Sequence, residues 1–389
     1  MRPARLDDER QLHGLLVTID AEARIAAEVG DASDVRWFRA PGRVNLVGGH
    51  MDYNEGFVLP LAIERSCVVA ARRAERVRVR SLDLEGVLEI PADGSAEPQS
   101  VEPAWGRYVA GVLRELAVRC RPAAGMDAVL ASDVPLGAGL SSSAALEVAV
   151  ALVLCAAAAW ELDRVELAQA CRAGEESGTG VPCGIMDQLA SLAAVEGTAL
   201  LIDCRSLEIT PVAIPSTLGV FAVHSGVSRA LASGEWAQRR HACEELAREL
   251  GIPALRDATH EHAEQYPLAR HAFSENARVL EAVEALAADD RERLGRIFLA
   301  SHASLRDDVR VSTRELDLLV DELVSAGAYG ARLTGGGFGG CVLGIADVHA
   351  ADSIAETAMR RYRTATGLVP TRYECRPVSG AGELSRALS

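Results

Sequence analysis

At 389 residues the chain is too long for one ordinary core, so two domains are expected, and its 49% hydrophobic content supplies apolar surface enough to fold without metal or disulfide staples. Its 40 basic and 55 acidic residues leave a net charge of −15, which disfavours broad contact with nucleic acid or an anionic membrane and confines any anionic substrate to a local positive site. All forty basic residues are arginine: Schiff-base chemistry and a Walker A lysine are both excluded, because each needs a primary amine.

The predicted elements begin with residues 34 to 72, where apolar runs alternate with turn residues and FVLPLAIERSCVVAARR reads as strand. Just before it, PGRVNLVGGHMDYN (41–54) gathers Arg43, His50, Asp52 and three glycines behind an apolar run. Residues 105–120 place Val109, Val112, Leu113, Leu116 and Cys120 on one helical face. The stretch from Met126 to Trp160 reads as a strand, a glycine loop and a long buried helix. A helix is expected over 163–176, a turn at SGTGVPCG, and a short helix from Ile185. Residues 199–224 are strand-rich, and a boundary near residue 205 divides the chain into halves of 1–205 and 206–389. Helices are expected at 234–250, 275–288, 291–305 and 312–326, followed by two apolar runs around GGGFGG, then a last helix and strand.

Nine cysteines without a CxxC pair or a Cys/His cluster read as small buried hydrophobes in a reducing cytoplasm. The most apolar run, Val148 to Trp160, is too short to span a bilayer, and no signal-like segment opens the sequence. A soluble, cytoplasmic protein without membrane or nucleic-acid partners is expected.

PLGAGLSSSAAL (135–146) carries the sharpest chemical signal. Gly137 and Gly139 permit a tight turn with exposed amides, and Ser141, Ser142 and Ser143 lead into a helix whose first N–H groups attract anions. Such a loop can cradle phosphates without lysine; the plain alternative is a serine cap on a core helix, for which one serine suffices. In GGGFGG (335–340), five glycines in six positions exceed what a hairpin turn needs and favour close approach of a ligand. Asp187, in PCGIMDQ, sits where an acid also serves as a first-turn helix residue. His50 and Asp52 read equally as turn formers, and Arg43 as a surface ion pair.

The order of these segments resembles the galactokinase family of the superfamily that also holds homoserine, mevalonate and phosphomevalonate kinases (GHMP kinases). GRVNLVGGHMDYNEGFVLPLAI is similar to that family's sugar signature and PLGAGLSSSAALEVA to the superfamily's phosphate loop. VPCGIMDQ, SHASLRDDVRVSTRELDLLV and GARLTGGGFGGCV are similar to later segments, in the same order. The resemblance implies a two-lobed α+β GHMP kinase fold: an N-terminal lobe like domain 2 of ribosomal protein S5, a ferredoxin-like C-terminal lobe, and the active site between them. It implies ATP with Mg2+ as cofactors and transfer of the γ-phosphoryl group to the anomeric hydroxyl of galactose. By the same resemblance Asp187 is the base and Arg43 its charged neighbour. Gly137, Gly139, Ser141, Ser142 and Ser143 hold the nucleotide, Trp105 lies beside the adenine, and Ser143 and Glu175 are magnesium ligands. His50, Asp52, Gly184, Asp187 and Trp236 touch the sugar. Oligomeric state, monomer or dimer, is open.

Two positions depart from the family. Gly49 stands where galactokinases carry glutamate, and Trp236 where they carry tyrosine. That glutamate accepts a hydrogen bond from the C6 hydroxyl, and losing such a bond costs about 1.5–3 kcal/mol. A vacant, uncharged position at 49 is expected to leave galactose weakened, or to admit L-arabinose, L-fucose or D-galacturonate. A non-catalytic sugar sensor is the reading of a different class, disfavoured by the intact SSSAA and by Asp187.

Overall fold

The computed structural model describes residues 20–30, 34–228 and 233–385. The opening of the chain, where the sequence shows no signal-like segment, lies outside the described residues.

Thirteen strands are described in three sheets: β1 (Arg36–Asn45), β2 (Phe57–Val58), β3 (Pro60–Ala74), β4 (Arg76–Ser81), β5 (Val87–Pro91), β6 (Gly125–Ser132), β7 (Thr198–Asp203), β8 (Ile209–Ala213), β9 (Leu218–His224), β10 (Gly330–Leu333), β11 (Cys341–Asp347), β12 (Thr371–Glu374) and β13 (Gly382–Glu383). The first sheet runs β13-β1-β3-β6-β4-β5, antiparallel except where β4 pairs with β6. The second runs β10-β11-β9-β12, and β2-β7-β8 form a small third. The boundary expected near residue 205 falls inside the β7–β8 hairpin, whose ladder pairs Ile202 with Ile209, and β13 returns to the first sheet beside β1.

Packing explains the helices. Gly106–Val118 buries Val109, Val112, Leu113 and Leu116, the stripe its spacing announces, whereas Cys120 lies past the helix end and is exposed. Ser142–Ala157 is apolar nearly all round and threads through the main core. Arg164–Thr179 starts at Asp163, whose side chain caps Val165 N, and ends at Gly180 in the left-handed region. In the second half the helix expected at 275–288 spans Pro267–Ala287: Pro267 occupies its first turn, where a missing N–H costs nothing. The short helix His260–Gln265, opened by a Thr259 capping box, has too few turns to show periodicity in the sequence. Seven of the nine free cysteines are buried. No helix among the described residues is long and apolar enough to cross a membrane.

One irregularity positions the site. The β1–β3 register shifts between Pro41 and Arg43, and there a Cβ on Gly42 would sit 2.6 Å from the Leu140 carbonyl oxygen. That carbonyl accepts a hydrogen bond from Arg43 N at 3.1 Å, joining the end of β1 to the serine-bearing loop.

Candidate active site

Arg43, carried to this junction, is buried and turns its guanidinium onto Asp187, in the first turn of the helix Met186–Ala193. Nε and Nη2 donate to the two carboxylate oxygens, each at 2.7 Å, and Nη1 donates to Gly139 O at 2.8 Å. One arginine thus ties the β1 end, the glycine loop and the acid together. Ser141 adds a third bond to Asp187, its Oγ donating to Oδ2 at 2.5 Å. A carboxylate offers about four acceptor positions, so three are occupied and one remains for a substrate hydroxyl.

The serine loop departs from a plain helix cap. Ser141 holds the N-cap position of the helix Ser142–Ala157 at φ 63°, Gly137 and Gly139 also have positive φ, and the Ser141 side chain makes no capping bond. Ser143 lies beside the Glu175 carboxylate and favours its charged form. The hydroxyls therefore serve two acids, and the helix start is left without a side-chain cap, an anion-binding geometry.

Behind the loop lies a group that sequence reasoning missed. The amide nitrogen of Gln188 donates to Glu147 at 3.0 Å and to Glu175 at 2.9 Å. Glu147 is fully buried with its Oε1 unpartnered, and burial, followed by repulsion from Glu175, pushes its carboxyl well above the usual range. Burial and then Asp187 also raise Glu175, against the opposing bonds from Ser143, Cys183 and Gln188. Nothing in a one-dimensional pattern marks Glu147, which reads as one acid in an alanine-rich helix.

The opposite wall is the turn Gly48–Asp52. Gly48 (φ 95°) has no room for a side chain, since a Cβ would meet Phe57 O at 2.6 Å. Asp52 lies against Gly184, where a Cβ would fall 1.6 Å from Asp52 Oδ2. Burial and then Asp187 raise the Asp52 carboxyl to about 6, against Arg43, Arg240 and the Tyr53 amide. His50 Nδ1 and Tyr53 OH are 2.7 Å apart, and the Tyr53 ring meets Trp236 edge to face with centroids 5.5 Å apart.

These residues line one cleft of about 350 Å3, in which Arg43, Gly49, His50, Asp52, Gly137, Gly139, Ser141, Ser142, Ser143, Glu175, Gly184, Asp187 and Trp236 all take part, as do Gly335 and Gly336 of the second glycine loop. Trp105 does not line it: its indole donates to Glu85 O at 3.0 Å and its ring packs on the core, the more frequent fate of a large aromatic.

Position 49 corrects the expectation of a vacancy. A Cβ there would lie 2.6 Å from Nη2 of Arg332 and 3.2 Å from a Leu305 methyl, so the space holds a guanidinium. Arg332, in β10, is 1% exposed and donates through Nη1 to Asn45 O and Leu46 O at 2.9 and 2.7 Å. The turn is buttressed by Glu275, whose Oε1 accepts from Gly48 N (2.9 Å), Gly49 N (3.2 Å) and Ser301 Oγ (2.6 Å) and whose Oε2 accepts from Arg278 at 2.6 Å.

Comparison with known proteins agrees with this geometry. The galactokinase galactose-binding signature matches residues 26–73, the GHMP kinase N-terminal domain 107–194 and the GHMP kinase C-terminal domain 282–363. The galactokinase of Chloroflexus aurantiacus is 44% identical over 359 residues, 88% of this chain and 92% of that protein, and the galactokinase of Roseiflexus sp. (strain RS-1) is 43% identical over 363 residues, 89% and 92%. The structure of Lactococcus lactis galactokinase complexed with galactose superposes with a TM-score of 0.85 at 30% identity, covering 93% of this chain and 98% of that one. A mevalonate kinase structure (TM-score 0.64, 17% identity, 87% of this chain and 98% of that one) shares the fold. With the two-lobed GHMP architecture and the signature both present, the chain belongs to the galactokinase family and is an ATP-using sugar 1-kinase.

Proposed function

We propose that this kinase transfers the γ-phosphoryl group of ATP to the anomeric hydroxyl of galactose, with Asp187 receiving that hydroxyl's proton. The observation that carries the assignment is the clamp on Asp187: Arg43 and Ser141 occupy three acceptor positions and leave one aimed into the cleft. An aspartate is a weak base for a ground-state alcohol, about pKa 3.9 in model peptides, but the hydroxyl becomes acidic as its oxygen bonds to phosphorus, so proton transfer comes late. Arg43 fixes the carboxylate's orientation and supplies positive charge beside the transferring group.

The start of the serine-led helix is assigned to the nucleotide phosphates, through backbone N–H groups and the Ser142 hydroxyl. Mg2+ fits the donor set beside it: Ser143 and Glu175 both line the cleft and present hard oxygens, and this ion takes one or two protein oxygens alongside phosphates. When bound, it neutralises charge on the phosphates. Asp52, shaped against Gly184, and His50 are assigned to the sugar hydroxyls, and Trp236 closes the cleft over them through Tyr53. Trp105 stands apart from the cleft and is given no part in holding the nucleotide.

Replacing Asp187 by Ala should lower galactose-dependent ADP release by about 10²- to 10⁴-fold, while titration calorimetry with ATP shows binding within a fewfold of the native protein. Retained turnover would remove Asp187 as the proton acceptor.

A further inference from the structure

Gln188 sits where three helices meet behind the phosphate wall, Ser142–Ala157, Arg164–Thr179 and Met186–Ala193. A primary amide has two N–H donors, and here both are spent on acids. Nε2 donates backward to Oε2 of Glu147, which is fully buried and does not line the cleft, and forward to Oε2 of Glu175, which does. Turning the amide away would orphan a donor in a dry interior, at about 1–3 kcal/mol, so it is held in one orientation and holds Glu175 in one.

Such a cluster is poorly built for stability alone. Oε1 of Glu147 and Oε1 of Gln188 are buried without partners, and among the described residues no arginine pairs with Glu147 or Glu175. Bringing two acids together in these surroundings costs more than an apolar junction of the same volume would. What the cluster provides is aim: Glu175 shares the cleft wall with Ser143, and ligand carboxylates are oriented by the hydrogen bonds behind them. Gln188 also follows Asp187 directly in the first turn of its helix, so one turn of backbone places both the proton acceptor and the donor that steadies Glu175.

We propose that Gln188 is a positioning residue for the divalent cation that accompanies ATP: anchored on Glu147, its amide orients the Glu175 carboxylate toward the nucleotide phosphates. The proposal rests on the reading of Glu175 as a metal ligand and adds what holds that ligand in place. Gln188 acts through Glu175 and gives up no proton.

The test is titration calorimetry of the full-length protein with a non-hydrolysable ATP analogue, once with Mg2+ and once with EDTA. The ratio of the dissociation constants without and with the metal reads the metal's contribution in the absence of turnover. Gln188→Met, similar in length but without donors, should lower that ratio about 10- to 100-fold and leave galactose affinity unchanged. Gln188→Asn keeps the donors but withdraws them by one methylene; it should lower the ratio too, and it keeps the test available where the Met variant does not fold. An unchanged ratio in these variants overturns the proposal. So does an equal loss of affinity for galactose and for the nucleotide with and without Mg2+, which is what a purely structural amide would give. Glu175→Gln separates the two readings: if it leaves the ratio unchanged, Glu175 is not a metal ligand and the proposal falls with that reading, whereas a ratio lowered by Glu175→Gln but not by the Gln188 variants overturns the proposal alone.

Discussion

The serine loop and the Gly48–Asp52 turn face each other across one cleft, and both bend at glycines with positive φ, yet they are held in place by different means. The serine loop is fastened by its own hydroxyls and by Arg43, contacts that are themselves part of the proposed chemistry. The sugar-side turn is fastened from behind by Glu275, His271 and Arg332, which lie more than 200 residues away in sequence and do not line the cleft. Substitutions should therefore cost activity on the first wall and folding on the second.

The sharpest way to break that contrast is Glu275→Ala. Glu275 is fully buried and its four bonds hold two backbone amides, Ser301 and Arg278, with burial opposed by Arg278, His271 and Arg332 so that its carboxyl sits at about 2. Its contribution is thus present above the unfolded carboxylate range and lost only as pH falls toward 2. Removing it leaves buried cations uncompensated, and unfolding in urea at pH 7 should show a loss of about 3–5 kcal/mol. A loss under 1 kcal/mol would mean that the turn is not held from behind.

Arg43→Lys tests the other wall. A lysine keeps the charge but cannot supply two parallel bonds to Asp187 together with a third to Gly139. A fall in kcat of about 10²-fold, near 2.7 kcal/mol, is expected, with a melting temperature within a few degrees of native. Equal losses in stability and rate would erase the distinction between the walls.

How far each wall was legible in the sequence follows from the same contrast. The serine loop could be read because its function is local: two glycines and three serines at fixed spacing suffice to describe an exposed helix start. The helices at 106–118 and 164–179 were legible through periodicity and capping for the same reason. The environment of Gly49 was not. Its apparent vacancy is filled from β10, and only tertiary folding brings Arg332 to that spot, although the residue stands in the quoted segment GARLTGG. Gln188 and Glu147 were missed alike, since their acid-amide-acid bridge with Glu175 joins three helices. Trp105 is placed by tertiary packing too: its indole bonds the Glu85 carbonyl and its ring is not among the cleft residues.

A smaller effect refines the sugar wall. With its carboxyl raised to about 6, Asp52 takes up a proton within the working range, and it accepts sugar hydroxyls best when ionised. Galactose kcat/KM should fall about tenfold per pH unit below 6. For stability the sign is reversed: a raised folded pKa favours the protonated form, so the Asp52 contribution is fullest below the unfolded value and is lost as pH rises through 6. Asp52→Asn should flatten the acidic limb at a lower plateau, and a limb that persists would assign it to another group.

The smallest expected effect lies behind the serine loop. Glu147 is buried with one oxygen unpartnered and faces Glu175 across Gln188, and its raised carboxyl means that the fold favours its protonated form. Any stabilisation it gives is complete at acidic pH, below the unfolded value of about 4.3, and fades as pH climbs through the folded one. Glu147→Gln keeps the shape and removes the ionisation, so melting should be unchanged below pH 4 and rise by about 1–3 °C at pH 9. The phosphate wall would then owe part of its form to an acid that works best uncharged. A variant that melts lower at pH 9 would show instead that the ionised carboxylate supports the loop, placing this wall under the same buttressing from behind as the sugar turn.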